Sequence, residues 1–265
     1  RKMRASILIL GPLLARFGKA RISLPGGCAI GTRPIDIHLE GLKKLGANFS
    51  VENGYVVGAV EDKLIGKHIN LPFPSVGATE NILMASILAK GETVIEQAAR
   101  EPEIEDLGHC LISMGAKIEG KGTKELKIFG VKELKPTSYE VMPDRIETAT
   151  YLTAVAMTGG EVSIKNSMPK TLDIVLKKLT EAGAKIEIKE DTIELKMDKS
   201  LKAVDISTAP YPLFPTDMQA QFISLNTIAE GQSSVVETIF ENRFMHVQEL
   251  IRMGGDISLA GNTAI

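Results

Sequence analysis

The sequence has no tryptophan, only two cysteines and no long apolar run, and each absence excludes a class of protein. Cys28 and Cys110 cannot build the disulfide framework of a small secreted domain, and no Cys/His cluster has zinc-site spacing. The apolar stretch at residues 7–14 is too short to span a bilayer, and no signal-peptide pattern follows it. We therefore expect a reduced, cytoplasmic, globular protein.

The chain also lacks a surplus of either charge, with 31 basic and 33 acidic residues. Neither a basic block nor an acidic tail is present, so we expect neither nucleic acid nor an anionic membrane as a partner. At 265 residues the length allows one large domain or two smaller ones.

What the sequence does contain is a fourfold repeat. A helical pattern ends four times at a glycine, with a leucine four residues before it and a strand pattern after it. Glycine suits the left-handed residue that ends a helix. These glycines, at intervals of 69, 68 and 71 residues, are Gly46, Gly115, Gly183 and Gly254.

A second glycine landmark precedes the first in every copy, where another apolar helix ends and a β-branched strand begins. In the first copy we predict that helix over residues 3–15. Each copy then reads helix, strand, helix, strand, strand over about 70 residues. The fold class is therefore α/β, built from repeated units.

The first copy is longer than the others, because its two glycine landmarks are 28 residues apart against 24, 23 and 23. The surplus lies at residues 24–34, where glycines, Cys28 and Arg33 gather. A thiol near a positive charge on such a loop is reactive, and an arginine at a helix start binds anions. A reactive cysteine on an anion-binding loop is thus favoured modestly over a surface hairpin.

The same loop, LPGGCAIGTRP at residues 24–34, resembles the active-site loop of the UDP-N-acetylglucosamine 1-carboxyvinyltransferases, a family of enolpyruvyl transferases. Five further motifs resemble that family in the same order along the chain. They are SVGAT at 75–79, AREPEI at 99–104, PDRIET at 143–148, FPTDMQAQF at 214–222 and FENRFMH at 240–246. Together with the loop they cover the chain from end to end.

The resemblance implies an inside-out α/β barrel of two domains, each of three units, with ligands bound between them. It places residues 1–142 in the first domain and residues 143–265 in the second. Four of the six units are then present. We therefore expect an internal fragment that lacks both termini and, with them, part of the anion site.

The reaction implied is transfer of the enolpyruvyl group of phosphoenolpyruvate to the 3-hydroxyl of UDP-N-acetylglucosamine, with release of phosphate. This is the first committed step of peptidoglycan synthesis, so a role in cell-wall growth, cell shape and division follows. The resemblance implies these two small-molecule substrates, no metal or organic cofactor, and no obligate protein partner.

Site residues come from the same resemblance. Asp217 matches the general base, Cys28 matches the residue that protonates phosphoenolpyruvate and forms an adduct with it, and Arg33 matches a phosphate ligand. Arg4 and Arg243 match further cationic side chains, and Ser75, Val76 and Gly77 match a backbone cradle for the diphosphate. Pro34, Asp36 and Ile37 match neighbours of the uracil, and Ile239 matches a neighbour of the sugar.

Simpler interpretations stand beside these. Taken without the resemblance, Asp217 is a first-turn carboxylate favoured by the helix dipole, and Arg243 is nearly as well explained as a solvated rim charge. His38 falls eight residues before its corner glycine, as does His246, which indicates a packing role. The competing functions are a 3-phosphoshikimate 1-carboxyvinyltransferase and a non-catalytic UDP-sugar-binding paralogue or module.

Overall fold

The structure, a computed structural model, describes residues 3–26 and 35–265. Contacts divide the chain into two units, Arg1–Val141 (unit 1) and Met142–Ile265 (unit 2). This division lies one residue before the boundary proposed from the sequence. That the units correspond to the two domains of the family stays a prediction.

Unit 1 contains the first two repeats, and both include the predicted order of helix, strand, helix, strand, strand. The first repeat comprises a 3-10 helix (Arg4–Ile9), α1 (Leu10–Phe17), β1 (Lys19–Ser23), α2 (Asp36–Lys44), β2 (Asn48–Glu52) and β3 (Tyr55–Ala59). The second comprises β4 (His68–Asn70), α3 (Val76–Ser86), β5 (Glu92–Glu96), α4 (Pro102–Ser113), β6 (Lys117–Glu119) and β7 (Glu125–Phe129).

Unit 2 contains the third and fourth repeats in the same order. The third comprises α5 (Arg145–Thr158), β8 (Gly160–Ile164), a 3-10 helix (Pro169–Thr171), α6 (Asp173–Glu181), β9 (Lys185–Lys189) and β10 (Thr192–Met197). The fourth comprises β11 (Ile206–Ser207), a 3-10 helix (Thr216–Met218), α7 (Gln219–Asn226), β12 (Val235–Val236), α8 (Val247–Arg252), β13 (Leu259–Ala260) and β14 (Thr263–Ala264).

Each repeat forms its own sheet, and the sheets are of two kinds. Repeats 1 and 3 have three antiparallel strands, in the orders β1-β3-β2 and β8-β10-β9. Repeats 2 and 4 have four, in the orders β4-β5-β7-β6 and β11-β12-β14-β13, and their first pair is parallel. The repeat read from the sequence lacks this extra strand, because β4 and β11 are only three and two residues long, which is too short for alternation to be recognised.

The corner glycine of each repeat closes a helix in the predicted left-handed conformation, with φ between 101° and 112°. In repeat 2, Gly115 N donates to Ile112 O at 2.8 Å and Ala116 N donates to Leu111 O at 2.9 Å. This pair of bonds is a Schellman cap, and the same pair closes α2, α6 and α8. The leucine four residues before the glycine is thus the residue whose carbonyl the cap satisfies.

The helix predicted over residues 3–15 is two elements, since a 3-10 helix ends at Ile9 and α1 runs from Leu10 to Phe17. Pro12 explains the break. Proline has no N–H to donate, so it is tolerated in the first turn of an α-helix and disfavoured further along.

Each unit has its own apolar core. In unit 1, α1 packs against α3 at Gly11, where a Cβ atom would lie 2.4 Å from the carbonyl oxygen of Asn81. In unit 2, the rings of Phe214 and Phe222 pack edge to face with centroids 5.0 Å apart. Within residues 3–26 and 35–265, no helix has the length and apolar character needed to cross a bilayer.

The Schellman caps give a stability prediction. Gly115→Ala should lower the free energy of unfolding by about 1–2 kcal/mol, because an L-residue is strained at a φ of 101°. A Cβ atom at Gly115 would meet nothing within 4 Å, so the loss is conformational and not steric. Urea unfolding measures it.

The matched control is Ser113→Ala on the same helix, which removes an exposed hydroxyl bonded only locally to Cys110 O. It should change the free energy of unfolding by less than about 0.5 kcal/mol. Equal effects of the two substitutions would contradict the assignment of the cap.

Candidate functional site

Three of the predicted site residues, Cys28, Arg33 and Pro34, lie outside the residues that the structure describes. The loop that carries them runs in the sequence directly into Ile35, and α2 begins at Asp36. Their roles therefore stay predictions, and the site is built here from the other residues.

In unit 1 the first turns of α2 and α3 lie side by side. A Cβ atom added to Gly77 in α3 would be 3.1 Å from Cε1 of His38 in α2. The structure therefore brings the predicted uracil neighbours, Asp36 and Ile37, next to the predicted diphosphate cradle at residues 75–77. A side chain at position 77 would require the His38 ring to move by a few tenths of an ångström, so this close approach favours glycine.

The first turn of α3 is arranged as an anion site requires. Ser75 is the N-cap residue, and its Oγ accepts a hydrogen bond from Ala78 N at 3.4 Å. The amides of Val76 and Gly77 belong to the first turn, where no intrahelical acceptor is available to them. With the positive end of an 11-residue helix, such amides bind phosphate oxygens.

Behind this edge, Asn81 joins α3 to the preceding elements through the interior of unit 1. Its Oδ1 accepts from Gly11 N at 2.7 Å, and its Nδ2 donates to Ile7 O at 3.0 Å. Nδ2 also lies 3.1 Å from Nδ1 of His38, a ring that is 6% exposed. Asn81 therefore fixes the orientation of the ring that contacts Gly77.

His38 is neutral at neutral pH. Burial, and then the charge of Arg4, lower the pKa of His38 to about 4. Because Nδ1 accepts from Asn81, the neutral ring carries its proton on Nε2. The effect of Arg4 on the pKa of His38 indicates that this predicted cation lies near the His38 ring.

Glu80, the neighbour of Asn81 in α3, is a titratable group that the sequence analysis missed. Burial raises its pKa to about 7, and the charges of Glu103 and Glu101 add to the effect. The available signal was a polar pair, Glu80 and Asn81, within the otherwise apolar helix pattern of residues 76–86.

In unit 2 the predicted residues Asp217 and Arg243 form an ion pair. Arg243 Nη2 lies 2.6 Å from Asp217 Oδ1, and the two side chains are 19% and 57% exposed respectively. Asp217 lies in the 3-10 turn before α7, so it is accessible while one of its oxygens is held. Arg243 is more than a rim charge, because its other terminal nitrogen, Nη1, donates to Thr216 Oγ1 at 3.0 Å.

Ile239, the predicted neighbour of the sugar, lies on the same part of unit 2 and is 37% exposed. Its amide donates at 2.8 Å to Oε1 of Glu237, a buried carboxylate that the sequence analysis missed. Glu237 Oε2 accepts from Thr216 Oγ1 at 2.8 Å. The structure therefore joins Asp217, Arg243 and Ile239 through two residues outside the predicted set.

No group of three or more histidine, cysteine, aspartate or glutamate side chains in the described parts of the chain is placed to hold a metal ion. The polar side chains around His38 in unit 1 and around Arg243 in unit 2 instead bind one another and the backbone. Each of these two groups is suited to hold or exchange protons and anions.

A family model described as EPSP synthase (3-phosphoshikimate 1-carboxyvinyltransferase) matches residues 1–265. Among curated proteins, the UDP-N-acetylglucosamine 1-carboxyvinyltransferase of Shewanella sediminis is 61% identical over 264 residues, which are 99% of this chain and 63% of that protein. The protein of the same name from Saccharophagus degradans is 60% identical over 266 residues, which are 100% of this chain and 63% of that protein. The chain thus spans less than two thirds of the length of these relatives.

Solved structures confirm the predicted fold class. The enolpyruvyl transferase NikO from Streptomyces tendae has a TM-score of 0.84 at 21% identity, covering 97% of this chain and 62% of that one. EPSP synthase from Acinetobacter baumannii has a TM-score of 0.68 at 20% identity, covering 98% of this chain and 62% of that one. Since the family model matches from the first residue to the last, the chain belongs to the EPSP synthase family of enolpyruvyl transferases.

Proposed function

We propose that the polypeptide carrying this sequence transfers the enolpyruvyl group of phosphoenolpyruvate to the 3-hydroxyl of UDP-N-acetylglucosamine, with release of phosphate. The observation that carries the proposal is the 60–61% identity with proteins named for that reaction, over 99–100% of this chain. The reaction is the first committed step of peptidoglycan synthesis, with consequences for cell-wall growth and division. The cytoplasm is its proposed location.

The 3-hydroxyl of the sugar must lose a proton as it attacks, and Asp217 is the base we assign to that proton. Arg243 holds Oδ1 of Asp217 at 2.6 Å, and Oδ2 is the atom we assign to the substrate hydroxyl. A carboxylate fixed in this way loses little freedom on binding, which is how positioned bases accelerate proton transfer. Ile239 is the proposed neighbour of the sugar.

The hydroxyl oxygen forms a bond to C2 of phosphoenolpyruvate, and C3 must gain a proton, which we assign to the Cys28 thiol. The enol ether then forms as the new methyl group returns a proton to the Cys28 thiolate and the C2–O bond to phosphate breaks, which releases phosphate. The negatively charged groups of the substrates are the carboxylate and phosphate of phosphoenolpyruvate and the diphosphate of UDP-N-acetylglucosamine. Their proposed partners are the first turn of α3, Arg4 and Arg33. Pro34, Asp36 and Ile37 are the proposed neighbours of the uracil.

A 3-phosphoshikimate 1-carboxyvinyltransferase is the second candidate. The description of the matching family model and the neighbour from Acinetobacter baumannii favour it. The chemistry at phosphoenolpyruvate would be the same, and the acceptor would differ. Identity with the solved EPSP synthase is 20%, against 61% with a relative named for the nucleotide sugar, so we place this candidate second.

The first test concerns the acceptor and uses the natural polypeptide with phosphoenolpyruvate. Phosphate release should require UDP-N-acetylglucosamine, because the enol ether forms only when the sugar hydroxyl attacks. The measurement is inorganic phosphate against acceptor concentration. Turnover with shikimate 3-phosphate in its place would establish the second candidate, and tight nucleotide binding without turnover would favour a binding module.

The second test concerns the base. Asp217→Asn should lower kcat by roughly 10²- to 10⁴-fold, because the amide cannot accept the hydroxyl proton. Asp173→Asn is the matched control, since Asp173 is an exposed first-turn carboxylate of α6 and shares the simpler role considered for Asp217. It should leave kcat unchanged. Equal kcat values in the two variants would rule out Asp217 as the base.

The third test concerns the thiol. Fosfomycin, an epoxide, should add once to the protein, and peptide mass spectrometry should find the adduct on Cys28. Cys28→Ser should abolish labelling, while Cys110→Ser should retain it, because Cys110 is a half-buried residue of α4. An adduct confined to Cys110 would refute the assignment.

A further inference from the structure

The strongest unassigned feature in the described part of the chain is the Glu237 carboxylate. Glu237 is 2% exposed and follows β12, whose parallel partner β11 is followed by Thr208. Oε1 accepts from Thr208 Oγ1 at 2.9 Å, from Ile239 N at 2.8 Å and from Phe240 N at 3.2 Å. Oε2 accepts from Thr216 Oγ1 at 2.8 Å.

The amides of Ile239 and Phe240 can only donate, so the Oε1 site requires an acceptor. At the Oε2 site a carboxylate accepts from the Thr216 hydroxyl, whereas the NH2 group of a glutamine would reverse that bond and make the hydroxyl an acceptor. A buried charge is costly unless such bonds compensate it. Glutamate at position 237 therefore sets the direction of the bond from Thr216.

The backbone of Glu237 is held as firmly as its side chain. Its N–H donates to Asn262 O at 2.8 Å, and its carbonyl accepts from Asn262 Nδ2 at 3.1 Å. Thr238 N donates to Thr208 Oγ1 at 2.9 Å. Glu237 is thus a rigid point from which neighbouring groups can be positioned.

The Thr216 hydroxyl links this rigid point to Asp217. Because the hydroxyl has one proton, donating to Glu237 Oε2 turns its lone pairs toward Arg243, whose Nη1 donates to it at 3.0 Å. The other terminal nitrogen of Arg243 holds Asp217 Oδ1. The chain of bonds therefore runs from Glu237 through Thr216 and Arg243 to Asp217.

The repeat itself does not require a carboxylate here. In repeat 2, β5 pairs with β4 as β12 pairs with β11, with Ile69 opposite Ile95 as Ile206 is opposite Val235. The residues that follow β5 are Gln97 and Ala98. Since the same sheet forms without a carboxylate at that point, the strand pairing does not by itself require Glu237.

We infer that Glu237 is a positioning residue: its buried carboxylate orients Arg243 and Asp217 through the Thr216 hydroxyl, and its second oxygen fixes the backbone at Ile239 and Phe240. The inference rests on the proposed function, in which Asp217 is the base. It adds a residue that acts on the base through two others without touching substrate.

The experiment removes the Thr216 hydroxyl and leaves Glu237, Arg243 and Asp217 unchanged. In the natural polypeptide, Thr216→Val should lower kcat roughly 10- to 100-fold, as expected when a base is displaced by about 1 Å. Thr216→Ser, which keeps the hydroxyl, should restore kcat to within about threefold of the original. Thr180→Val is the matched control, because the Thr180 hydroxyl bonds only to Leu176 O within α6 and is expected to be neutral.

Glu237→Gln should lower kcat as Thr216→Val does. The double variant should be no slower than the slower single variant, because both changes break one chain of bonds. Effects on kcat that multiply, or a Thr216→Val enzyme within about twofold of the original, would overturn the inference. Should Glu237→Gln fail to fold, the comparison of valine and serine at position 216 decides the question.

A readout independent of turnover separates this inference from the proposed function. Phenylglyoxal should modify Arg243 faster in Thr216→Val than in Thr216→Ser, because the valine variant loses the hydrogen bond from the guanidinium to the hydroxyl at position 216. Unchanged labelling in the valine variant would contradict the link even if the enzyme proved to use another acceptor. Absence of turnover with UDP-N-acetylglucosamine, combined with faster labelling, would refute only the proposed function.

Discussion

The left-handed glycine that ends the second helix of every repeat is the constraint on which the rest of the structure depends. At φ values of 101° to 112°, only glycine is free of strain. After the turn, a strand begins two residues later in repeats 1 to 3 and five residues later in repeat 4. The cap satisfies two carbonyls that would otherwise be left at the helix end, and it seats the leucine four residues earlier against the sheet. Four such corners fix the length and direction of each unit before any site residue is placed.

The extra parallel strand of repeats 2 and 4 then determines the positions of the proposed site residues. In repeat 2 the residues after β4 lead to Ser75 and the first turn of α3, whose backbone amides are the proposed phosphate ligands. In repeat 4 the residues after β11 lead to Thr216 and Asp217, whose carboxylate is the proposed base. Ligand sites commonly lie beyond the carboxyl ends of parallel strands, because the connections leave that edge open. The same repeat thus carries a proposed anion-binding turn in unit 1 and a proposed proton acceptor in unit 2.

The features that repeat at regular intervals along the sequence could be predicted from it. The glycine and leucine positions repeat, so the order of helices and strands and the left-handed corners were predictable, and the structure confirms them. The strands β4 and β11 were missed because two or three residues show no periodicity. Resemblance identified Asp217 and Arg243 separately, yet their contact at 2.6 Å depends on where α7 and residues 240–246 meet. Glu237 carried no signal at all, since its burial arises only when the hydroxyls of Thr208 and Thr216 approach it from distant parts of the chain.

Burial also gives His38, Glu80 and Glu237 different physical roles. His38 is kept neutral by desolvation, so it can approach Gly77 without placing a positive charge inside unit 1. Burial, and then the charges of Glu103 and Glu101, raise the pKa of Glu80 to about 7. Among the residues that the structure describes, no donors converge on Glu80 as four do on Glu237. A buried acid held by four donors is therefore fixed in place, and through the Thr216 hydroxyl and the Arg243 guanidinium it is suited to hold Asp217 in place.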